Sequence, residues 1–319
     1  MTRDRRKNLA LGPGAEFDTV RAMLARWGTL ASGVGDDAAL LDVPAGSRLV
    51  VSADTSVENV HFKRAWLSAE EIAYRSVAAA LSDLAAMAAT PIGMVIALTL
   101  TEQWRAQIVQ LADGFAVASR DLGAPIVGGD LTSGSELSIG VTVLGSVERP
   151  LTRAGGRAGD SLWVTGRLGG PLLALRALEA GAAPNPAHRD RFARPVPRMR
   201  EARWLAEHGA TSAIDISDGV AADASHLAAA SGSRIILELD RLPLVPGATA
   251  QEAAASGEEY ELIVTSPGAL DQRAFEHEFG IPLTSIGHVE AVGTHGQGLE
   301  TQNRGQRVPL PPGHSHFSG

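Results

Sequence analysis

Several acidic residues in this chain follow either a glycine turn or the end of an apolar run. Asp36 and Asp37 are adjacent in SGVGDDAALL (residues 32–41), Asp54 ends SRLVVSAD, and Asp130 ends PIVGGD. Two neighbouring carboxylates on a tight turn repel each other, and a bound divalent cation would relieve that repulsion. A solvated turn is the alternative for the adjacent pair, and a turn before a hairpin is the alternative for GGD.

Two further aspartates, Asp215 and Asp218, bracket a strand-to-helix turn in AIDISDGVAAD. Asp215 interrupts an apolar strand, so a functional site is the expected reason for its charge. For Asp218 alone, an ordinary helix N-cap is the favoured alternative. Ligands of layered α/β proteins gather at the carboxyl ends of strands, so aspartates at several such ends predict one shared acidic pocket.

Asp83 lies in SVAAALSDLAAMAA, where nearly every neighbour on every helical face is Ala, Val, Leu or Met. A helix that is apolar all round is buried, and a lone carboxylate in it costs several kcal/mol unless it is paired or bound to a metal. This predicts a functional role for Asp83. The alternative is a narrow solvent-facing stripe formed by Ser76, Ala79, Asp83 and Ala86.

So many carboxylates cannot share a pocket as bare anions: either their pKa values rise or cations neutralise them. Mg²⁺ prefers a few carboxylates together with water and phosphate oxygens, and phosphoryl transfer chiefly needs positioning and charge neutralisation. The only lysines are Lys7 and Lys63, and there is no G-x-x-x-x-G-K-[ST] motif, so ATP binding would use another route than a P-loop. Arg153 in LTRAGG is a candidate phosphate clamp, with a solvated linker arginine as the alternative.

The composition excludes several classes of function. The 319 residues carry a formal net charge of −8 and no cysteine, which argues against nucleic-acid binding and excludes disulfides, thiol nucleophiles and thiolate metal sites. The apolar stretch 76–100 is interrupted by Asp83 and Pro91, and the N-terminus lacks the apolar core of a secretory signal. We therefore expect a cytoplasmic protein with no nucleic-acid partner and no membrane partner.

Strands alternate with helices along the chain, which predicts α/β or α+β layers in two domains. The Arg- and Gly-rich stretch 149–160 is the best boundary, giving domains over 1–148 and 149–319. Ser68 as an N-cap and Pro91 as a stop predict a helix over 68–90. We also expect one helix over 102–123, a surface connection over 182–198 and a loop-like tail from residue 293.

Two other features carry weaker signals. His61 in VENVHFKRAW is isolated beside Phe62, which is typical of a structural histidine. The alternation in SGEEYELIV predicts that Glu259 and Glu261 share one face of a strand. Our interpretation is that this face is exposed to solvent. The chain shows no nucleophile-elbow serine and no His-x-x-x-His pair, so we expect no catalytic residue that acts as a covalent nucleophile.

Seven motifs follow one another in a fixed order: GVGDDAALL, VSADTSVENVHF, SVAAALSDLAAMAATPIG, VGGDLTSG, LTRAGGRAGD, DISDGVAADASHLAAAS and SGEEYEL. Together they resemble the thiamine-monophosphate kinases, a family in the superfamily of aminoimidazole ribonucleotide synthetase and selenophosphate synthetase. The resemblance implies an N-terminal mixed sheet with helices that pairs with its copy across a homodimer. It also implies a C-terminal α/β domain that completes the active site, whereas the N-terminal domain binds ATP and Mg²⁺.

The reaction that this resemblance implies is direct in-line phosphoryl transfer from ATP to thiamine monophosphate, with several Mg²⁺ ions on the phosphates. The implied site residues fall into three sets. The metal ligands are Asp37, Ser52, Ala53, Asp54, Asp83, Asp130, Asp215 and Asp218; the ATP contacts are Asp113, Gly129, Asp130, Arg153 and Ser217; the substrate contacts are His61 and Glu258.

The chain departs from the family pattern at three points. Ala53 replaces the usual threonine, so only its backbone carbonyl could bind a metal. The motif GEEYEL replaces the family's GEDYEL. Pro311 lies near the position at which the family has an aromatic residue that packs on the thiamine. Two other functions stay open: an ATP-dependent synthetase of the same superfamily with another phosphorylated acceptor, and a non-catalytic nucleotide-binding relative. The cysteine-dependent members of the superfamily are excluded, because this chain has no cysteine.

Overall fold

The computed structural model describes residue 8 and residues 14–35, 37–293 and 296–311. The chain divides into two compact units. The first comprises Met1–Leu84 and Ala89–Arg149, and the second comprises Ala85–Ala88 and Pro150–Gly319. None of the helices in these described stretches is long and apolar enough to cross a membrane.

The first unit is built on a four-stranded mixed sheet with the strand order β1-β4-β2-β3. Strand β4 pairs antiparallel with both β1 and β2, and β2 pairs parallel with β3. The strands are β1 (Arg48–Val57), β2 (Thr90–Leu100), β3 (Ile126–Ser133) and β4 (Ser138–Val147); the α-helices are α1 (Ala15–Trp27), α2 (Ala69–Ala86), α3 (Glu102–Arg105) and α4 (Ile108–Leu122).

Helix α2 covers one face of this sheet. A Cβ on Gly145 of β4 would lie 3.1 Å from a methyl of Leu84, which places the end of α2 against the strand. Val50 of β1 points to the same covered face and is buried, whereas its neighbours Leu49 and Val51 are 51% and 54% exposed. Because successive strand residues alternate between faces, the opposite face of β1 presents apolar side chains to solvent.

The second unit is built on a seven-stranded sheet with the order β11-β10-β7-β9-β5-β8-β6. Its pairs are antiparallel apart from the parallel pair β7–β10. The strands are β5 (Ser161–Thr165), β6 (Ser212–Asp215), β7 (Arg234–Glu238), β8 (Leu262–Ser266), β9 (Leu283–Glu290), β10 (Gly298–Asn303) and β11 (Gln306–Val308); the helices are α5 (Gly170–Glu179), α6 (Pro186–Ala193), α7 (Met199–Glu207), α8 (Val220–Ser231), α9 (Ala250–Ala255) and α10 (Gln272–Phe279).

This second sheet has an apolar core on each face. Leu162 and Val164 of β5 pack in the core that contains α8, whereas Trp163 packs in the core that contains α7 and α10. Continuous apolar runs such as SLWVT therefore arise because both faces of the strand are covered. The two sheets with their helices confirm the predicted mixed α/β class.

The structure corrects several predicted elements. The helix predicted over 68–90 ends at Ala86, because the chain turns through a left-handed residue at Ala88 (φ 55°) and β2 begins at Thr90. The helix predicted over 102–123 is two helices, the first of which is capped by Thr101 and lasts one turn. The connection over 182–198 contains α6, which the Asn185 side chain caps.

The tail from residue 293 was also predicted wrongly as a loop. Strands β10 and β11 form a hairpin there, and β10 adds to the sheet beside β7. The Gly- and Gln-rich composition hid these strands because their order comes from pairing with β7 rather than from local propensity.

A close approach between α2 and α4 depends on Gly114. A Cβ there would lie 2.2 Å from the carbonyl oxygen of Glu70 and 2.8 Å from the Cβ of Ala73. Replacing glycine by alanine inside an open helix stabilises it by about 1 kcal/mol. Here we expect Gly114→Ala to lower the free energy of unfolding by about 1–3 kcal/mol, because the two helices must separate.

Denaturant unfolding measures this effect. Val109→Ala on the exposed side of α4 is the control, and we expect it to change the free energy by less than about 0.5 kcal/mol. A Gly114→Ala protein that is more stable than the wild type would contradict the close packing of α2 on α4.

Candidate functional site

The first unit gathers Ser52, Asp54 and Asp83 at the covered face of its sheet. Ser52 Oγ donates a hydrogen bond to Asp83 Oδ2 at 2.5 Å, which ties the last turn of α2 to β1. Asp54 lies two residues further along β1, so its side chain points to the same face as that of Ser52. Its Oδ1 accepts the backbone N–H of Thr55 at 2.7 Å. Two carboxylates and one hydroxyl therefore share this face.

The solvent stripe considered for Asp83 is wrong. Ser76, Ala79 and Ala86 are 2%, 8% and 8% exposed, so no solvent-facing row runs along α2 through these positions. Asp83 itself is half-buried, whereas every other residue of α2 from Ile72 to Ala86 is buried. The Ser52 hydroxyl offsets only part of the cost of placing a carboxylate there, so a cation near Asp83 would be electrostatically favourable.

Sheet register separates Asp130 from this group. Gly129 belongs to the cross-strand row of Asp54, whereas Asp130 belongs to the next row, that of Thr55, and is exposed on the opposite face. A Cβ on Gly129 would lie 2.3 Å from the carbonyl oxygen of Ile96, so only glycine permits this approach of β3 to β2. The residue of β3 that shares a cross-strand row with Asp54 is therefore Gly129, which offers only backbone atoms, and not Asp130.

The glycine turn that carries the adjacent aspartates leads away from the start of β3. Ser32 donates its N–H to the carbonyl of Ile126 at 3.0 Å, and Gly33 and Gly35 take positive φ values of 71° and 109°. Asp37 follows as an exposed residue, and Asp36 lies outside the described residues. The Ala53 side chain points to the exposed face of β1, so a metal contact by its carbonyl stays a prediction.

In the second unit, Asp215, Ser217 and Asp218 lie where β6 ends and α8 begins. Asp215 is 5% exposed. The helix N-cap is Gly219, which makes no side-chain cap, so the N-cap interpretation of Asp218 is wrong. The capping group is Asp223, one turn into α8, whose Oδ2 accepts the N–H groups of Ser217, Asp218 and Gly219 at 3.1 Å each.

Asp223 is the residue of this loop that sequence reasoning missed. Burial raises the pKa of the Asp223 carboxyl to about 8, and the negative charge of Asp215 adds to the effect. The available signal was an aspartate in the first turn of an alanine-rich helix. Because Asp223 already takes three N–H groups at this helix start, those groups are not available to a phosphate. Phosphate binding at this loop would therefore rely on side chains and cations.

Glu258 lies directly beside this loop. Its N–H donates to the carbonyl of Ser217 at 2.8 Å, and the N–H of Tyr260 donates to the carbonyl of Ile216 at 2.9 Å. The structure thus brings together Glu258, a predicted substrate contact, and Ser217, a predicted ATP contact. The solvent-facing interpretation of Glu259 and Glu261 is wrong, because both side chains are fully buried against arginines.

Three other predicted residues occupy distinct places. The His61 Nδ1 accepts the N–H of Val57 at 3.1 Å, so a neutral ring carries its proton on Nε2 and can donate from there. The Asp113 carboxylate on α4 accepts two hydrogen bonds from Arg26 of α1, both at 2.6 Å; an ATP contact by Asp113 stays a prediction. Arg153 is exposed, and its carbonyl accepts Ser231 Oγ at 2.7 Å.

The donor chemistry of both acidic groups suits Mg²⁺. The side-chain donors are carboxylate and hydroxyl oxygens, which Mg²⁺ prefers together with water and phosphate oxygens. Among the residues that the structure describes, no three His, Asp or Glu side chains are grouped closely enough to enclose a metal ion. Ser52, Asp54 and Asp83 in the first unit, and Asp215 and Asp218 in the second, are the residues that would hold the cations.

The class of protein follows from comparison with known families. The family model described as AIR synthase related protein, N-terminal domain, matches residues 35–147, and the model of the C-terminal domain of the same family matches residues 157–297. These matches define a protein of the AIR synthase related type with both of its family domains.

Within that class, the chain belongs to the thiamine-monophosphate kinase family, whose members are phosphotransferases. The Escherichia coli O157:H7 thiamine-monophosphate kinase is 34% identical over 305 residues, covering 90% of this chain and 92% of that protein. The crystal structure of the kinase from Stenotrophomonas maltophilia K279a is 34% identical, covers 95% of this chain and 100% of its own, and gives a TM-score of 0.78. The structure of AaThiL complexed with AMPPCP and TMP is 29% identical and gives a TM-score of 0.75. The match covers 89% of this chain and 92% of that one.

Proposed function

We propose that this protein transfers the γ-phosphoryl group of ATP to thiamine monophosphate, giving ADP and thiamine diphosphate. The observation that carries the proposal is the likeness over 89% of the chain to a protein complexed with AMPPCP and TMP. The acidic groups at Asp54 and Asp83 and at Asp215 and Asp218 support it. They are the oxygen donors that a polyphosphate-bound Mg²⁺ requires, and the relatives favour a kinase over the synthetase alternative.

The chain itself would bind and orient the two substrates and exclude water from them. It would form no covalent intermediate. A phosphate oxygen of the acceptor attacks the γ-phosphorus, the bond from that phosphorus to the β-phosphate bridge breaks, and ADP leaves with the bonding electrons. Mg²⁺, when bound, neutralises the charge of the phosphates. Ser52, Asp54 and Asp83, and separately Asp215 and Asp218, would hold the cations. Asp37 is assigned as a further ligand. The predicted ligand Asp130 lies on the opposite face of the sheet from Asp54 and would hold a different cation.

Three side chains are assigned to the substrates themselves. Arg153 is exposed on a loop whose backbone is fixed by Ser231, and a guanidinium binds phosphate through two parallel hydrogen bonds. His61 is oriented by the N–H of Val57 and can donate from Nε2. Glu258 is held beside Ser217 and is assigned to the acceptor.

The deciding experiment is an assay of the full chain with ATP, Mg²⁺ and thiamine monophosphate, with thiamine diphosphate measured by chromatography. Free thiamine is the parallel acceptor. We expect diphosphate from the monophosphate only. No product, together with Mg²⁺-dependent ATP binding, would instead support the synthetase or the non-catalytic alternative.

We also infer that the protein works as a homodimer in the cytoplasm, where its co-substrate ATP is supplied. The first unit, proposed to bind ATP and Mg²⁺, offers the surface for a second copy. Strand β1 lies at one edge of its sheet, and Leu49 and Val51 are more than half exposed on its uncovered face. An exposed apolar face beside an open strand edge suits a second sheet of the same kind.

We expect Val51→Glu to convert the dimer to a monomer, because a charge in the centre of an apolar interface is costly. Light scattering coupled to gel filtration measures the mass. Val196→Glu, at a half-exposed valine of the second unit, is the control that keeps the wild-type mass. A wild-type monomer at micromolar concentration, or an unchanged mass for Val51→Glu, would contradict this interface.

A further inference from the structure

A network of two arginines and two buried glutamates lies in the second unit, and none of its members is among the residues assigned to the substrates or the cations. Arg198 binds Glu261 through two hydrogen bonds, Nε to Oε2 at 2.7 Å and Nη2 to Oε1 at 2.5 Å. Arg191 Nη2 bridges Glu259 Oε2 at 2.9 Å and Glu261 Oε1 at 3.2 Å. Both glutamate side chains are fully buried, and the Arg198 side chain is only 13% exposed.

Uncharged donors add further hydrogen bonds to both glutamates. Thr165 Oγ1 donates to Glu261 Oε2 at 2.7 Å, and Glu259 Oε1 accepts the N–H of Gly169 at 2.5 Å and Ser256 Oγ at 2.6 Å. Burial opposes ionisation of Glu261, but the charges and hydrogen bonds of Arg198 and Arg191 outweigh it and hold its pKa below the ordinary value. Glu261 is therefore held as an anion by both arginines.

The two glutamates of the network alternate along the chain with two residues whose backbone is strained. Glu258 and Tyr260 have φ values of 57° and 51°, in the left-handed region that residues other than glycine rarely adopt. Each is followed by an anchored glutamate, Glu259 or Glu261. Such strain persists only where the surroundings hold the backbone in place, and it concentrates at functional segments.

The strained segment is bonded to the loop that ends β6. Glu258 donates its N–H to Ser217, Tyr260 donates to Ile216, and Ile216 donates to the carbonyl of Glu261 at 2.8 Å. Gly257 lies so close that a Cβ would be 2.6 Å from the Ser217 carbonyl oxygen. Displacing Glu261 would therefore move Glu258 relative to Ser217.

We propose that Arg198 and Arg191 are positioning residues, which lock Glu259 and Glu261 so that the strained Glu258 is presented to the phosphorylated acceptor. This inference rests on the proposed function for the identity of that acceptor. The competing explanation is a purely structural ion-pair network, which would affect the stability of the fold and leave the acceptor's KM unchanged.

The test uses the full-length double variant Arg198→Gln/Glu261→Gln, because removing one partner alone leaves a buried charge without its counterion and threatens folding. Gly166→Ala is the second variant: its Cβ would lie 2.1 Å from Glu261 Oε1, so it displaces the carboxylate without removing a charge. Arg176→Gln is the matched control, since Arg176 forms an exposed ion pair with Glu252 elsewhere in the same unit.

We expect both network variants to raise the KM for thiamine monophosphate at least tenfold while the KM for ATP changes less than threefold. Amide hydrogen exchange at Glu258 and Tyr260 should accelerate at least tenfold, with the core strand β8 still protected. The Arg176→Gln control should match the wild type in all three measurements. Unchanged KM values with a lowered unfolding temperature would overturn the proposal in favour of a structural role.

The two hypotheses fail in different ways. A wild-type protein that does not phosphorylate thiamine monophosphate overturns the proposed function. Amide exchange then still decides whether the arginines hold the Glu258 segment, because that measurement needs no substrate. Exchange that is equally slow in the wild type and in both network variants overturns the positioning role, whatever the acceptor is.

Discussion

Asp83→Asn should lower kcat/KM for thiamine monophosphate by at least about 100-fold, since even residues that only support a metal ligand are worth about 10–100-fold in metal affinity. The substitution removes the charge and keeps the shape. The amide oxygen of the introduced asparagine can still accept the hydrogen bond that the Ser52 hydroxyl now donates to Asp83 Oδ2. We therefore expect the free energy of unfolding to change by less than about 1 kcal/mol, and the Mg²⁺ concentration for half-maximal rate to rise.

Two variants of the first unit make this result interpretable. Asp121→Asn neutralises an exposed carboxylate at the end of α4 and should leave both rate and Mg²⁺ dependence unchanged. Ser52→Ala keeps the Asp83 charge and removes its hydroxyl neighbour, so its rate should fall between the wild type and Asp83→Asn. Full activity of Asp83→Asn would contradict a metal-binding role for this carboxylate.

The sequence predicted the α/β class because the alternation of strands and helices is a local signal. The predicted strand ends were wrong, since Asp54 lies inside β1 (Arg48–Val57) and Asp130 lies inside β3 (Ile126–Ser133). These strands continue past the aspartates because pairing with neighbouring strands, rather than local composition, sets where a strand ends. The end of α2 was misjudged because Ala88 turns left-handed, although alanine favours a helix. Tertiary packing, rather than local propensity, ends that helix.

The sites were harder to predict where burial decides the role. Glu259 and Glu261 have the alternation of a half-exposed strand, yet Arg191 and Arg198 arrive from a distant Pro-rich segment and make their burial favourable. Asp223 was overlooked because its partners are backbone N–H groups, which no sequence motif displays. Asp130 falls on the other face from Asp54 because sheet register, rather than spacing along the chain, sets side-chain direction.

Asp215→Asn should abolish most activity and yet stabilise the metal-free protein. Asp215 is buried, and its negative charge helps to raise the pKa of the neighbouring Asp223. At about pH 9, above the pKa of about 8 of Asp223, the Asp223 carboxyl is ionised. Neutralising Asp215 should then raise the free energy of unfolding in chelator-treated buffer, by about 1 kcal/mol if the repulsion amounts to one pKa unit. The rate with thiamine monophosphate should fall at least about 100-fold, and the thermal stabilisation by Mg²⁺ and ATP should shrink. Asp160→Ala is the control for the direction of the stability change. Asp160 Oδ2 accepts both Thr211 Oγ1 and the N–H of Arg157, so removing this acceptor should destabilise the fold. A less stable Asp215→Asn protein would mean that Asp215 maintains the fold rather than holding a cation, because a carboxylate kept for metal binding destabilises the protein until the metal arrives.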